Sequence, residues 1–305
     1  MILITGANGH LGRRLISALG PGVRVRAVVR SERAARMLAD ADADVRVIDY
    51  LDRDAMTGAA RGCSHIIHLV GIIRETRGSS FAHAHEGTTA VVLEAARAAG
   101  VSRIIYLSIL GAASASANAC LASRGRAENL LLEAGIPSLV MRIPMVLGEG
   151  DYASGSLLRR ARSRFDFQYR AASLEQPIYA GDVVHAMRRA MDLTWASPED
   201  DHLLLELAGP ESLSRGELTR RAAAVLGIRA PRVVSLPMAL GMILAGLLER
   251  LFPNPPVTRA MLGVLDHDDR IDPAPALARL GLVLTPLDET LRRVLAGASR
   301  SRGGS

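Results

Sequence analysis

The chain has 305 residues, of which 49% are apolar and 3% aromatic, and a formal net charge of +6. All 37 basic residues are arginine, which excludes any mechanism that needs a lysine amine. The arginines are dispersed and no recognition motif accompanies them, so a nucleic-acid partner is not expected; Cys63 and Cys120 are too few for a disulfide framework.

The first element is a short apolar strand running into a glycine-spaced turn, Ile2-Leu3-Ile4-Thr5-Gly6-Ala7-Asn8-Gly9-His10-Leu11-Gly12. Gly6 supplies the backbone freedom of a tight strand-to-helix turn, Gly9 leaves room for a pyrophosphate against the main chain, and Gly12 lets the following helix pack on the strand. An anion would sit on the free N–H groups and positive dipole end of that helix, from about residue 10 to 19. Three spaced glycines alone are weak evidence. Here an apolar strand precedes them, an amphipathic helix follows, and a second apolar strand spans 23–29.

Apolar, β-branched runs at 45–48, 65–70, 103–108 and 138–143 alternate with alanine- and leucine-rich helical stretches at 31–39, 81–99 and 117–134. That alternation predicts βα repeats and a parallel sheet covered on both faces. The expected fold is α/β, a Rossmann-type doubly wound parallel sheet with a smaller C-terminal α+β lobe: residues 1–150 bind the dinucleotide, 151–298 form a substrate or partner lobe interleaved with the sheet, and 299–305 are a disordered tail. His83, His85 and Glu86 invite a metal reading, but residues two apart on a helix point to different sides, so no metal is expected. No charged-then-apolar leader is read ahead of the first strand, and a cytoplasmic setting is expected.

In the lobe, 203–207 reads as a strand. Ser214 begins a helix to Leu226, with Ser214 and Glu217 in a capping-box pattern. From Val233 to Leu248 sixteen residues carry no charge, and the helix opened by Pro237 continues to Phe252. That is short of the ~20 residues needed to span a bilayer. Residues 233–252 are read either as a buried lobe helix or as a surface for a hydrophobic small molecule, a membrane face or a protein partner, the last two placing the protein at the periphery of the inner membrane.

The Thr5-Gly6-x-x-Gly9-x-x-Gly12 spacing, with Ile67-His68-Leu69-Val70-Gly71, Gly87-Thr88-Thr89, Ser108, Met141 to Gly148 and Pro177 to Val184 following in order, resembles the extended and atypical short-chain dehydrogenase/reductase superfamily. Within it the chain is most similar to the NAD(P)H-binding branch that includes the NmrA-like proteins and the accessory Rossmann subunit of respiratory complex I. The resemblance covers roughly residues 1–190. It implies a dinucleotide held by Thr5, Gly6, Asn8, Gly9, His10, Leu11 and Gly12, with Asp49 and Tyr50 at the adenine amino group, Leu69, Val70 and Gly71 on the nicotinamide-ribose side, and Ile143 and Pro144 flanking the nicotinamide. NAD-preferring relatives carry an acidic residue after the second strand; this chain has Arg30, whose guanidinium would pair with a 2′-phosphate, so NADP is favoured, with NAD the alternative. The other reading of Arg30 is a solvent-facing arginine.

The family's Tyr-x-x-Ser-Lys-x-x-x-Glu segment reads Cys120-Leu121-Ala122-Ser123-Arg124-Gly125-Arg126-Ala127-Glu128 here. Cys120 stands for the tyrosine and Arg124 for the lysine. The family's catalytic positions therefore fall on Ser108, Cys120 and Arg124. Arg124 keeps the charge and can hold the ribose hydroxyls. Cys120 is a poorer general acid than an activated phenol, and its other reading is a small buried helix residue. Ser108 either bonds a ligand or caps its strand. Tyr106 lies within its strand, facing opposite to Leu107, and does not easily replace the missing phenol; Tyr152 and Tyr179, in substrate-side segments, are candidates for recruitment. The expectation is a cofactor-binding, reductase-like protein with weakened or absent hydride chemistry. The alternatives are an active reductase or isomerase on a small carbonyl, quinone or isoprenoid, and an accessory or assembly subunit of a membrane complex.

Overall fold

The structure is a computed structural model that describes residues 1–193, 202–252 and 254–300, with side chains to residue 296. The elements up to the sixth long strand follow the expected alternation: β1 (Ile2–Thr5), α1 (His10–Leu19), β2 (Val25–Val29), α2 (Glu32–Arg36), β3 (Asp44–Val47), α3 (Arg53–Ala60), β4 (His65–His68), a π-helical turn (Ala82–Gly87) that runs into α4 (Thr88–Ala99), β5 (Arg103–Ile109), α5 (Ala119–Leu132) and β6 (Ser138–Ile143). Next come β7 (Val146–Leu147), α6 (Tyr152–Ala161), β8 (Phe165–Tyr169), β9 (Leu174–Glu175), β10 (Ile178–Tyr179), α7 (Ala180–Met191) and β11 (His202–Glu206). The remainder is β12 (Leu213–Ser214), α8 (Arg215–Val225), β13 (Arg232–Leu236), α9 (Met238–Leu251), α10 (Arg259–Val264), α11 (Ala274–Leu280) and α12 (Leu287–Arg300). Of the tail expected to be disordered, residues 299 and 300 end α12, and 301–305 lie outside the described residues.

The chain divides into two compact units, Met1–Arg142 with Val183–Leu205, and Ile143–Asp182 with Glu206–Ser305. The first unit is built on a seven-stranded sheet of order β11-β6-β5-β4-β1-β2-β3, in which β3, β2, β1, β4 and β5 pair in parallel. The winding direction reverses between β1 and β4, and open sheets of this kind bind ligands at the carboxyl ends of the strands beside such a switch. Strand residues Leu3, Ile66, Ile104 and Val140 pack against Met56 and Ala59 of α3, Val92 and Ala96 of α4, and Ala127 and Leu131 of α5. These β-branched and alanine-rich faces explain why the segments fold as they do: each fully buried aliphatic contributes about 1.5–3 kcal/mol, and small helix residues let the layers approach.

One element lies elsewhere than expected. The strand near 203–207, assigned by sequence to the C-terminal lobe, is β11, which forms the edge of the main sheet next to β6. α7 returns the chain to the first unit before it. The second unit has its own core, where Leu157, Leu158 and Ala161 of α6 meet Leu218 and Ala222 of α8 and Leu291 and Val294 of α12. Ser214 caps α8 as expected, accepting from the Glu217 N–H at 3.2 Å.

Candidate dinucleotide site

The chain leaves β1 through Gly6, whose φ of +68° lies in the left-handed region. A Cβ there would stand 3.1 Å from the Leu69 carbonyl carbon, so glycine is required for both conformation and space. Gly12 is required for another reason: its α-carbon lies against the Ala7 main chain, and a Cβ would approach the Ala7 carbonyl oxygen to 2.5 Å. Gly9 differs from both. A Cβ on it would meet only the Gly6 oxygen, at 3.2 Å, and otherwise open space. Gly9 is also the N-cap of α1, and no side chain caps that helix end. The first-turn N–H groups are thus left without a side-chain cap, over a floor of glycine main chain.

A cavity of about 490 Å³ opens from this turn, within the range of ligand sites. Gly6, Asn8, Gly9, Arg30, Asp49, Tyr50, Leu69, Val70 and Gly71 all line it. Ser31, Leu51, Ile72 and Ser79, which the sequence did not assign to the site, also line it, as do His83 and Thr88, which it marked for other reasons. Ser31 follows Arg30 directly and caps α2, a signal readable in the sequence. Ser79 comes from the loop after β4 and had no such signal. Arg30 is exposed at the edge of the cavity, and among the described residues it makes no hydrogen bond or ion pair.

Tyr50 does something other than expected. Its ring walls the cavity, but its hydroxyl points into the protein, accepting from the Gly6 N–H at 3.0 Å and donating to the Val28 carbonyl at 3.2 Å. Burial pushes the phenol pKa up, so it stays a donor. Tyr50 therefore braces the glycine turn, and of the expected adenine pair only Asp49, exposed and accepting from the Leu51 N–H, turns outward.

Thr5 also faces inward. Its hydroxyl lies 2.6 Å from His68 Nδ1, while His68 Nε2 meets the hydroxyls of Thr89 at 3.3 Å and Thr88 at 3.5 Å. Thr88 gives its own proton to the Ala84 carbonyl at 2.7 Å, which fits His68 as the neutral Nε2–H tautomer. Burial, with Arg124 and His85 nearby, lowers the His68 pKa to about 3. This buried hub ties the end of β1 to β4 and to α4. His10 is exposed, and neither it, Leu11 nor Gly12 lines the cavity; of the three, Gly12 serves the turn by packing. His85 faces Ile72, its Nε2 lying 3.1 Å from both the nitrogen and the oxygen of that residue, while Glu86 binds Ser123 and Arg126. These side chains diverge, and among the described residues there is no cluster suited to a metal.

At the family's catalytic positions, Arg124 is buried and donates through one Nη to the Tyr106 hydroxyl at 2.9 Å and the Leu107 carbonyl at 3.1 Å. Its guanidinium occupies the space where a Cβ on Gly71 would stand, so Gly71 is a condition for Arg124 lying against that turn. Tyr106 thus reaches the charged group after all. It is fully buried, stacked on His68 with ring centroids 5.4 Å apart, and burial raises its pKa. Cys120 is fully buried as well; its thiol lies 3.6 Å from the Ile72 carbonyl and burial drives its pKa up, with Arg124 opposing. The Ser108 hydroxyl is buried and has no hydrogen-bond partner among the described residues. Ile143 ends β6 and Pro144 follows it, where the chain enters the second unit. Within that unit Tyr179 donates to Glu149 at 2.7 Å and Tyr152 is largely exposed.

A glycine turn with one glycine open to a cavity, an uncapped helix start and an unpaired arginine after β2 are the parts of a dinucleotide cradle, and the match to a family model described as NAD(P)H-binding covers residues 6–158. The chain belongs to the NAD(P)H-binding family. Ceramide reductase of Caulobacter vibrioides is 29% identical over 271 residues, covering 87% of this chain and 82% of its own. Mitochondrial subunit 9 of the NADH dehydrogenase [ubiquinone] 1 alpha subcomplex of Arabidopsis thaliana is 27% identical over 251 residues, 79% of this chain and 61% of its own. Among solved structures, triphenylmethane reductase of Citrobacter sp. aligns with a TM-score of 0.75 at 21% identity over 97% of this chain and 99% of its own. UDP-glucose 4-epimerase of Bifidobacterium longum, in complex with NAD+ and UDP, aligns with a TM-score of 0.74 at 14% identity over 100% of this chain and 99% of its own. The fold is that of these short-chain dehydrogenase/reductase-like proteins.

Proposed function

We propose that this chain is an NADP(H)-binding, reductase-like protein in which the family's proton relay is lost and the cofactor is structural or regulatory. The observation that carries this reading is the burial of Cys120 with its thiol on the Ile72 carbonyl. A protonated, inward-facing thiol offers no acid to a substrate. Gly6, Gly9 and the start of α1 would hold the pyrophosphate, Arg30 the 2′-phosphate, and Arg124 the ribose hydroxyls beside Gly71. When bound, the cofactor supplies a hydride equivalent. Arg124 acts there by charge and hydrogen bonding.

A second reading is favoured by the Ser108 hydroxyl, buried and without a partner among the described residues. Its proton is uncommitted and would pass to a carbonyl oxygen brought against β5, and the similarity to a ceramide reductase supports an apolar lipid carbonyl as the substrate class. One experiment separates the two. NADPH binding is followed by cofactor fluorescence, and its oxidation is then measured with long-chain keto lipids, quinones and aldehydes. Binding without turnover supports the first reading. Turnover above ~1 s⁻¹, an ordinary enzyme rate, that falls at least ~10²-fold in Ser108→Ala and persists in Cys120→Ser would establish the second.

A further inference from the structure

α9 was expected either to be buried or to present an apolar face, and its packing decides between them. Gly241 and Ala245 are the buried positions. The large aliphatics Leu240, Ile243, Leu244, Leu247 and Leu251 point outward, with Ile243 65% and Leu251 72% exposed. Their spacing of three, four, seven and eleven residues is one continuous stripe on a helix. The amphipathic pattern is inverted, with small residues on the protein and bulky ones in water.

The neighbouring strand extends this surface. Along β8, Asp166 and Gln168 turn inward to Arg160 and Thr219, while Phe165 and Phe167 turn outward and stack at 6.4 Å. Phe167 is 64% exposed. Tyr169 shares their face, and its ring lies against α9, where a Cβ on Gly241 would come within 2.8 Å of it. The outer face of β8 and the stripe of α9 therefore adjoin.

At the far end of β8 the surface changes character. Arg162, Arg164, Arg229 and Arg232 line one hollow of about 400 Å³. Arg164 lies over the Phe165 ring at 5.5 Å, and Arg232 is opposite Phe165 in the β8–β13 register. Among the described residues none of the four has a carboxylate partner, and no acidic residue lines the hollow.

We infer that this face docks on the surface of an anionic lipid bilayer, with the α9 stripe, Phe165 and Phe167 entering the acyl boundary and the arginine hollow taking lipid phosphates. An exposed aliphatic stripe beside unpaired cations is the chemistry of an interfacial helix. A second copy of the hollow offers no carboxylate to the four arginines, whereas lipid phosphates would meet them. No helix among the described residues is long and apolar enough to cross a membrane, so the attachment lies on the surface.

The test is flotation of the full chain with vesicles of phosphatidylcholine alone or mixed with phosphatidylglycerol. The protein is expected to float with the mixed vesicles, more weakly with neutral ones, and less in high salt. Arg164→Ser with Arg232→Ser should weaken binding to the anionic vesicles about 25-fold, and Ile243→Glu with Leu247→Glu at least about 100-fold. Both double variants should keep wild-type NADPH affinity, because the cradle is in the other unit, and a far-UV circular dichroism spectrum and melting transition like those of the wild type certify folding of the unit that is changed. Wild-type protein that floats with neither vesicle, or vesicle binding unchanged in both variants, overturns the inference. So does a dimer that Ile243→Glu with Leu247→Glu dissociates in a protein that ignores vesicles.

Discussion

Replacing Tyr50 by Phe keeps the ring that walls the cavity and removes only the hydroxyl that braces the glycine turn. The Val28 carbonyl would still accept from the Ala7 N–H at 3.4 Å, so the loss falls mainly on the Gly6 N–H, left unpaired in a partly buried turn. An orphaned donor of this kind costs about 1–3 kcal/mol. For a chain of 305 residues, at about 2.1 cal/mol/K of unfolding entropy per residue, that is a fall in Tm of roughly 2–5 °C. Part of the lost energy was holding the cradle in its binding geometry, so the affinities for NADPH and NADH should fall together, by up to about tenfold. Differential scanning calorimetry and isothermal titration calorimetry on the same preparation provide both numbers. An unchanged Tm with weakened cofactor binding would show that the hydroxyl touches the ligand directly and that the bracing argument is wrong.

Other substitutions test the remaining parts of the site. Gly9→Val should fold, since a Cβ there meets only the Gly6 oxygen, yet abolish dinucleotide binding in calorimetry. Arg30→Ala should weaken NADPH about tenfold or more and NADH hardly at all; an equal loss for both would remove Arg30 as the phosphate reader. His68 and His85, each with a pKa lowered to about 3, stay neutral in the folded chain while unfolding frees them to protonate near 6.5. Their contribution is intact above 6.5 and is lost as pH falls, by about 1.4 kcal/mol for each histidine between pH 7.5 and 5.5. Urea denaturation across that range should show His68→Gln losing about half of the pair's pH dependence.

The cradle was legible because its parts are contiguous in sequence: strand, three glycines, helix and the arginine after β2. Contacts between distant residues were not. Nothing local to Tyr50 says that its hydroxyl turns toward a turn 44 residues earlier, nor that Gly71 must lack a side chain because Arg124 lies over it. Tyr106 was correctly placed on its own face of β5, but the alternation of a strand cannot say which helix residue waits on that face. The apolar run at 233–252 was ambiguous for the opposite reason. Hydrophobicity alone does not tell a core from a docking surface; here the glycine and alanine positions carried the answer. β11 was recognised as a strand and put in the wrong layer, because the return of the chain through α7 leaves no mark in its pattern.

That return has a consequence for synthesis. β6 ends at residue 143 and its outer partner β11 begins at residue 202, with the first segment of the second unit, Ile143–Asp182, between them. At about 5–20 residues per second the ribosome needs roughly 3–12 s to supply the missing strand. Through that interval the nascent chain carries a sheet with an open edge at β6, whose Leu139, Val140 and Met141 are all buried in the finished protein. An apolar strand edge held open is a template for pairing with another chain. The layout that lets one sheet be closed by a late segment makes the period of elongation, rather than the completed fold, the time at which this protein is most exposed to aggregation.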